Sequence, residues 1–140
     1  RLMVSIHSVP LTEVSRYGIL SGIWEDKENT ILNVSAMNEK PKASYAEEFL
    51  GVRGNDGKKE YCSVFGQYIL TPEVFQQLET DIRKADEGND HTREIELTSA
   101  LEAVRSNHGM MGVRLDGEMY DMGNPDALCR CVAAFSKPKE

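Results

Sequence analysis

The chain of 140 residues is 40% hydrophobic and 28% charged, and its net charge is −7 at pH 7. This composition is typical of one globular domain, while the acidic balance argues against nucleic acid as a partner. No apolar run reaches the roughly 18–20 residues that a membrane-spanning helix needs, so we expect no membrane partner either. The three cysteines lack the spacing of a disulfide scaffold, which favours a reducing, cytoplasmic location.

The first half of the chain predicts three strands and one short helix. Leu2, Val4 and Ile6 alternate with other residues, which is typical of a strand with one buried face. Similar apolar runs, separated by turn-forming residues, indicate the segments that follow. In chain order these are a strand at 2–8, a turn or single helical turn at 9–15, a strand at 17–24, a polar hairpin at 25–30, a strand at 31–37, a helix at 43–51 and a loop at 52–60.

The second half predicts one central strand, three helices and a hairpin about the pair Asp116-Gly117. Thr71-Pro72 and Asn124-Pro125 are both a favourable N-cap followed by proline in the first helical turn. The predicted segments are a strand at 61–70, a helix at 71–84, a loop at 85–92, a helix at 94–107, strands at 109–115 and 118–122, and a last helix after residue 124. The apolar faces of the helices are expected at Phe75, Leu78 and Ile82, at Leu97, Leu101 and Val104, and at Leu128, Val132 and Phe135. The order of elements indicates an α/β fold with a mixed β-sheet and flanking helices.

One candidate for chemistry is Asp121, in the segment YDMGNP at 120–125. It follows a predicted strand and precedes a capped helix, and ligands of α/β proteins often bind where a strand gives way to a helix. A single carboxylate there could hold Mg²⁺ together with substrate phosphates. The alternative is a surface acid in a turn, and the residue types alone leave both interpretations open.

A second candidate is the pair Glu39-Lys40, in NEKP at 38–41. A lysine suits a phosphate, and a carboxylate accepts hydrogen bonds from sugar hydroxyls. Successive residues of a strand point in opposite directions, so both would face one ligand only if the chain bends before Pro41. By residue type alone a charged turn is the favoured interpretation. Gly18, inside a strand pattern, indicates either a close approach to the backbone or a bulge.

Five segments in this order resemble the second half of the bacterial UTP–glucose-1-phosphate uridylyltransferases, or UDP-glucose pyrophosphorylases, of the sugar-phosphate nucleotidyltransferase family. The segments are EVSRYGIL, NEKPKAS, VFGQYILTPEVFQQLE, EIELTSALEAV and GEMYDMGNPDAL, and the resemblance extends over residues 9–135. It implies that this chain is the sugar-binding half of a Rossmann-like nucleotidyltransferase fold. The implied reaction joins UTP and a sugar 1-phosphate, with Mg²⁺ as the cofactor.

The resemblance also implies roles for individual residues. Gly18 would offer its backbone to the sugar, Glu39 would accept from sugar hydroxyls, and Lys40 would bind the phosphate. Val64 and Tyr68 would line the sugar pocket. Asp121 would be a ligand of Mg²⁺ and, with Lys40, a catalytic residue.

Some features depart from the family pattern and leave alternatives open. We expect one domain at 1–140, cut from a longer protein whose preceding nucleotide-binding part, with its triphosphate loop, is absent, so the isolated chain should be inactive. Arg93 and Ser99 stand where the family motif has a glycine and an aspartate, and 43–60 is longer than usual. The alternatives are a thymidylyltransferase or other sugar nucleotidyltransferase, or a non-catalytic module for binding or oligomerisation. We also expect a homo-oligomer.

Overall fold

The computed structural model describes residues 1–88, 94–120 and 122–136. Within these ranges a mixed sheet of six strands is accompanied by four α-helices and one short 3-10 helix. The strands are β1 (Leu2–Val9), β2 (Gly18–Trp24), β3 (Ile31–Glu39), β4 (Val52–Arg53), β5 (Lys59–Ile69) and β6 (Met110–Arg114). The helices are the 3-10 helix (Leu11–Arg16), α1 (Ala43–Phe49), α2 (Pro72–Glu87), α3 (Leu97–His108) and α4 (Pro125–Phe135). The predicted α/β class with a mixed sheet is therefore confirmed.

Two predictions about strands are wrong. The segment 52–60 is not all loop, because Val52 and Arg53 form β4 and pair with the start of β5. No strand forms at 118–120, so the hairpin about Asp116-Gly117 is absent from the described residues. The physical reason is that a hairpin partner would need a free edge of β6, and both edges are taken. β6 pairs with β1 in parallel on one side and with β3 in antiparallel on the other.

The pairing of the strands closes on itself. β1 pairs with β6, β6 with β3, β3 with β2, β2 with β5, and β5 again with β1. The closure is seen directly at Cys62 of β5, because this residue pairs with Ser8 of β1 and also with Leu20 of β2. A closed arrangement leaves few unpaired edges, and it fixes the ends of β2, β3 and β5 close to one another.

A polar contact ties together the strands near this closure. Arg114 at the end of β6 forms an ion pair with Glu60 of β5 at 2.7 Å. Its guanidinium lies 4.6 Å from the ring centroid of Trp24 in β2, and the hydroxyl of Ser8 in β1 donates to Glu60 at 2.9 Å. The ion pair is largely shielded from water, so it is stronger than a fully exposed pair and helps to fix the register of the strands.

Both faces of the sheet are covered, each by its own apolar cluster. Successive residues of a strand point to opposite faces, and Ile19 and Leu20 are nevertheless both fully buried. Leu20 belongs to the larger cluster, under α2 and α3, and Ile19 belongs to the smaller one, with Val14 of the 3-10 helix and Ala46 of α1. The larger cluster holds Leu2, Val4, Ile6, Leu20, Leu32, Val34, Met37, Val52, Cys62, Val74, Leu101, Val104 and Met110.

The apolar faces of two helices differ from the prediction. In α2 Leu78 packs against the larger cluster as predicted, but the buried residue is Val74, whereas Phe75 is 59% exposed and Ile82 is 48% exposed. In α4 the buried residue is Ala127, and the predicted face of Leu128, Val132 and Phe135 is exposed. The expected face of α3 is confirmed, since Leu101 and Val104 are buried and Leu97 packs against the larger cluster.

Among the described residues, no helix combines the length and the apolar character that crossing a bilayer would require.

Candidate functional site

Gly18 and Glu39 face each other at one end of the sheet. They are direct partners in the antiparallel pairing of β2 and β3. A Cβ atom at Gly18 would lie only 2.9 Å from Oε2 of Glu39. The carboxylate therefore fits in this position because residue 18 has no side chain. The close approach that the glycine predicts is thus present, and the group that approaches within this chain is the carboxylate of Glu39.

Val64 and Tyr68 of β5 border the same place. A Cβ atom at Gly18 would be 3.5 Å from Cγ2 of Val64. Tyr68 is 37% exposed, and burial together with the nearby negative charge of Glu39 raises the pKa of its phenol. An apolar side chain therefore lies against Gly18, and the phenol of Tyr68 is within electrostatic reach of the Glu39 carboxylate, a combination of apolar surface and a few polar groups that is usual in ligand sites.

A bulge in β5 sets the positions of these two residues. Val4 of β1 pairs with Tyr68 of β5, and Ile6 of β1 pairs with Val64 of β5. The segment of β5 between these two pairs is therefore longer than the segment of β1. Gly66, in the middle of the bulge, has a φ of 78°, which a residue with a side chain adopts only with strain. The hydroxyl of Ser5 replaces the lost ladder bonds, since it lies 3.3 Å from both the amide nitrogen and the carbonyl oxygen of Gln67.

The backbone bends at Lys40, as it would have to if Glu39 and Lys40 are to face one ligand. The φ of Lys40 is 46°, a left-handed conformation that is uncommon outside glycine, and Pro41 follows it as a buried residue. The amide of Lys40 donates to the carbonyl of Tyr17 at 3.0 Å, which holds the bend against the start of β2. Strained backbone of this kind is often found at binding sites, and here it breaks the strict alternation of strand directions after Glu39.

Thr98 of α3 also reaches this site, although the sequence predicted no role for it. Its hydroxyl donates to Oε2 of Glu39 at 3.1 Å. The two residues lie far apart in the chain, so no local spacing could reveal the contact. The motif EIELTSALEAV contains Thr98, but motif and residue type do not single it out among the polar residues of that helix.

Asp121 and Arg93 lie outside the described residues, so their predicted roles stay predictions. Asn124, just beyond Asp121, caps α4 as expected, and its Oδ1 accepts from the amide of Ala127 at 2.9 Å. The described residues contain no group of three or more His, Cys, Asp and Glu side chains that could hold a metal ion. A site of that kind would need ligands from beyond the described side chains or from a substrate.

A separate cleft of about 720 Å³ lies between α2 and α3. Its lining includes Asp81, Glu94 and Glu96 against one lysine, Lys84, and contains none of the predicted substrate residues. Carboxylates in excess over cations repel a phosphate. For this reason we place the candidate site at Glu39 and Lys40 rather than in the larger cleft.

Comparison with known proteins decides the family. The family model described as nucleotidyl transferase matches residues 1–137. The chain belongs to the nucleotidyl transferase family. Among curated relatives, the UTP–glucose-1-phosphate uridylyltransferase of Staphylococcus haemolyticus is 34% identical over 121 residues, and that of Streptococcus pneumoniae is 30% identical. Each alignment covers 86% of this nucleotidyl transferase chain, and the resemblance that the motifs indicate is confirmed.

Solved structures of nucleotidyl transferases share the fold. A UDP-glucose pyrophosphorylase complexed with UDP-glucose has a TM-score of 0.69 at 25% identity, and the match covers 96% of this chain and 43% of that one. A UTP-bound pyrophosphorylase from Acinetobacter baumannii, at 22% identity and a TM-score of 0.67, shows likeness of fold. The chain spans 35% of the length of the Staphylococcus haemolyticus relative.

Proposed function

We propose that this chain forms the sugar-phosphate-binding part of a uridylyltransferase, which converts UTP and a sugar 1-phosphate into a UDP-sugar and pyrophosphate. The observation that carries the proposal is the convergence of Gly18, Glu39, Val64 and Tyr68 at one end of the sheet, directly before the bend at Lys40. The names of the relatives support the choice of reaction, since the curated ones are UTP–glucose-1-phosphate uridylyltransferases.

In this reaction an oxygen of the sugar phosphate forms a bond to the α-phosphorus of UTP. The bond from that phosphorus to the bridging oxygen breaks, and pyrophosphate leaves with the electron pair. Positioning and charge contribute most to the rate of such a transfer. We assign Lys40 to the phosphate of the sugar 1-phosphate, because its ammonium group offsets charge on the attacking group and holds it in line.

The remaining residues would hold the sugar itself. The carboxylate of Glu39 accepts hydrogen bonds from neighbouring hydroxyls, which sugars offer in pairs. The backbone of Gly18 is open to a ligand since it carries no side chain. Val64 and Tyr68 supply a wall with an apolar part and one phenol, which restricts the orientation of the ring and excludes water from it.

We propose Mg²⁺ as the cofactor and Asp121 as its ligand from this chain. Mg²⁺ prefers oxygen ligands and often takes only one or two carboxylates together with phosphate oxygens, so a single aspartate fits that donor set. When bound, the ion would neutralise charge on the phosphates.

We also propose that the protein is cytoplasmic and assembles with copies of itself. The free cysteines Cys62, Cys129 and Cys131 are compatible with a reducing compartment. The exposed apolar face of α4 supports an assembly, because apolar patches of this kind commonly mark contact surfaces. Light scattering of the purified full-length protein tests the second point, and a strictly monomeric mass would contradict it.

The test of the function is an assay of the full-length protein that contains this chain, with UTP or dTTP and several sugar 1-phosphates. We expect pyrophosphate release with UTP and glucose 1-phosphate, and an activity at least about tenfold lower with dTTP, which corresponds to a difference of about 1.4 kcal/mol. A preference for dTTP would favour a thymidylyltransferase. Binding of the sugar phosphate without any product would favour a non-catalytic module, and either result contradicts the proposal.

A further inference from the structure

The carboxylate of Glu39 is held by a residue from a distant part of the chain. Thr98 lies in the first turn of α3, and its hydroxyl is 3.1 Å from Oε2 of Glu39 at the end of β3. The contact joins a helix to a strand, so it does not contribute to the internal hydrogen bonds of either element. A hydrogen bond to an ionised carboxylate is stronger than one between neutral groups, and this one therefore restricts the Glu39 side chain.

The same oxygen also lies close to Gly18. A side chain at position 18 would begin 2.9 Å from Oε2, so this oxygen lies directly against the backbone of β2. Oε2 therefore has two close neighbours that restrict it, the hydroxyl of Thr98 and the backbone at Gly18. Among the described residues, no hydrogen-bond donor is bound to the second oxygen, Oε1, and the residue Glu39 as a whole is exposed.

We infer that Thr98 is a positioning residue, which orients the carboxylate of Glu39 and thereby sets the affinity of the site for the sugar end of a sugar 1-phosphate. The inference rests on the proposed function, in which Glu39 accepts from sugar hydroxyls. A glutamate side chain has several rotatable bonds. When a ligand fixes a mobile glutamate, the side chain loses conformational entropy, and this loss weakens binding. A carboxylate that is already oriented avoids most of that loss.

The position of Thr98 in its helix adds a second effect. The amide groups at the start of a helix carry partial positive charge, which favours a carboxylate close by. Thr98 is in this first turn, so the hydroxyl brings Glu39 to the positive end of α3. The free energy of ligand binding is thus coupled to the placement of α3 against β3.

The test compares Thr98→Val with Thr98→Ser in the full-length protein. Valine keeps the shape of threonine and loses the hydroxyl, whereas serine keeps the hydroxyl. We expect Thr98→Val to raise KM for glucose 1-phosphate about tenfold, as for the loss of one hydrogen bond to a charged group, and to change KM for UTP by less than about twofold. Thr98→Ser should restore the wild-type KM to within about threefold.

Thr80→Val is the matched control for the substitution itself. The hydroxyl of Thr80 donates to the carbonyl of Gln76 within α2, at 2.8 Å, so this variant also loses one hydrogen bond of a helical threonine. We expect it to leave both KM values within about twofold of wild type. An equal rise of both KM values in Thr98→Val, or no recovery in Thr98→Ser, would show a merely structural role and overturn the inference.

A double substitution separates this inference from the proposed function. If Thr98 acts through Glu39, then Thr98→Val should add less than about twofold to KM for glucose 1-phosphate in a Glu39→Ala background. A further tenfold rise there would overturn the inference while the role of Glu39 stands. If Glu39→Ala alone leaves this KM unchanged, the proposed role of Glu39 is wrong, and the inference about Thr98 is overturned with it.

Discussion

A methyl group at position 18 would occupy the place of the Glu39 carboxylate, because the two would be 2.9 Å apart. The backbone of Gly18 does not have a positive φ, so alanine itself is compatible with the strand. We therefore expect Gly18→Ala to displace Glu39 and to raise KM for glucose 1-phosphate about tenfold, with a change in the unfolding free energy below about 1 kcal/mol. Kinetics and chemical denaturation of the same full-length variant measure both quantities, and an unchanged KM would contradict the site.

The juxtaposition of Gly18 and Glu39 could not be derived from residue spacing alone. Trp24 pairs with Leu32, and continuing that register along an unbroken hairpin would place Gly18 opposite Asn38. A bulge next to Ser21 shifts the pairing by one residue. Because a shift of one residue reverses which face a side chain occupies, a single irregularity decides whether the carboxylate lies in the site. The resemblance to the family supplied the assignment that the pattern could not.

At the scale of elements, the bulge in β5 connects backbone conformation to the site. Gly66 in the bulge and Gly57 in the turn between β4 and β5 both have a φ of 78°. Alanine at either position should lower the unfolding free energy by about 1 kcal/mol, because an L-residue is strained there. Only Gly66→Ala should also raise KM for glucose 1-phosphate, since it shifts Val64 and Tyr68.

Denaturation and kinetics on the two full-length variants provide the comparison, with Gly57→Ala as the control for strain alone. If both variants retain the wild-type KM, the bulge does not position the site.

The helices show which parts of an element a sequence can predict. The start of α2 at Thr71-Pro72 and the cap of α4 at Asn124 were predicted correctly, because they depend on neighbouring residues only. The buried face of α2 was predicted only in part, since Leu78 packs against the larger cluster as expected, but Phe75 and Ile82 are exposed and Val74 is buried. Val74 and Phe75 are both one helical turn from Leu78, so the spacing of apolar residues alone does not decide which of the two shares its face.

At the scale of the whole molecule, Cys62 reports on the closure of the sheet. It lies between β1 and β2 with no exposed surface, and burial, followed by the negative charge of Glu60, raises the pKa of its thiol to about 12. The thiolate is the reactive form, so we expect native protein at pH 8 to be alkylated at the exposed Cys129 and not at Cys62. Mass spectrometry after brief treatment with iodoacetamide gives the pattern, and equal labelling would contradict a closed sheet.

The same pKa predicts how stability depends on pH. The unfolded thiol ionises near its usual pKa of 9.0, whereas the folded one keeps its proton up to about 12. The contribution of Cys62 is therefore fully present below pH 9 and is lost as the pH rises towards 12. Denaturation midpoints of Cys62→Ala should consequently decline less between pH 9 and pH 11 than those of wild type, and parallel curves would contradict the shifted pKa.

The closure of the sheet is the part of the fold that could least be predicted from the sequence. Local patterns predicted most of the strands, but β1 pairs with both β5 and β6, and these pairings join residues from the two halves of the chain. Their register depends on bulges and on long-range contacts such as the partly buried ion pair of Arg114 and Glu60, which no local period encodes.

Lys40 is proposed to bind the phosphate of a sugar 1-phosphate, and a titration of this chain with glucose 1-phosphate measures that binding. Lys42, an exposed lysine two residues further on, offers the same charge as a control. By NMR we expect concentration-dependent shifts for residues around Glu39 in wild type and in Lys42→Ala, and an affinity at least about tenfold weaker in Lys40→Ala. Equal shifts at equal concentrations in Lys40→Ala and wild type would show that Lys40 does not bind the phosphate.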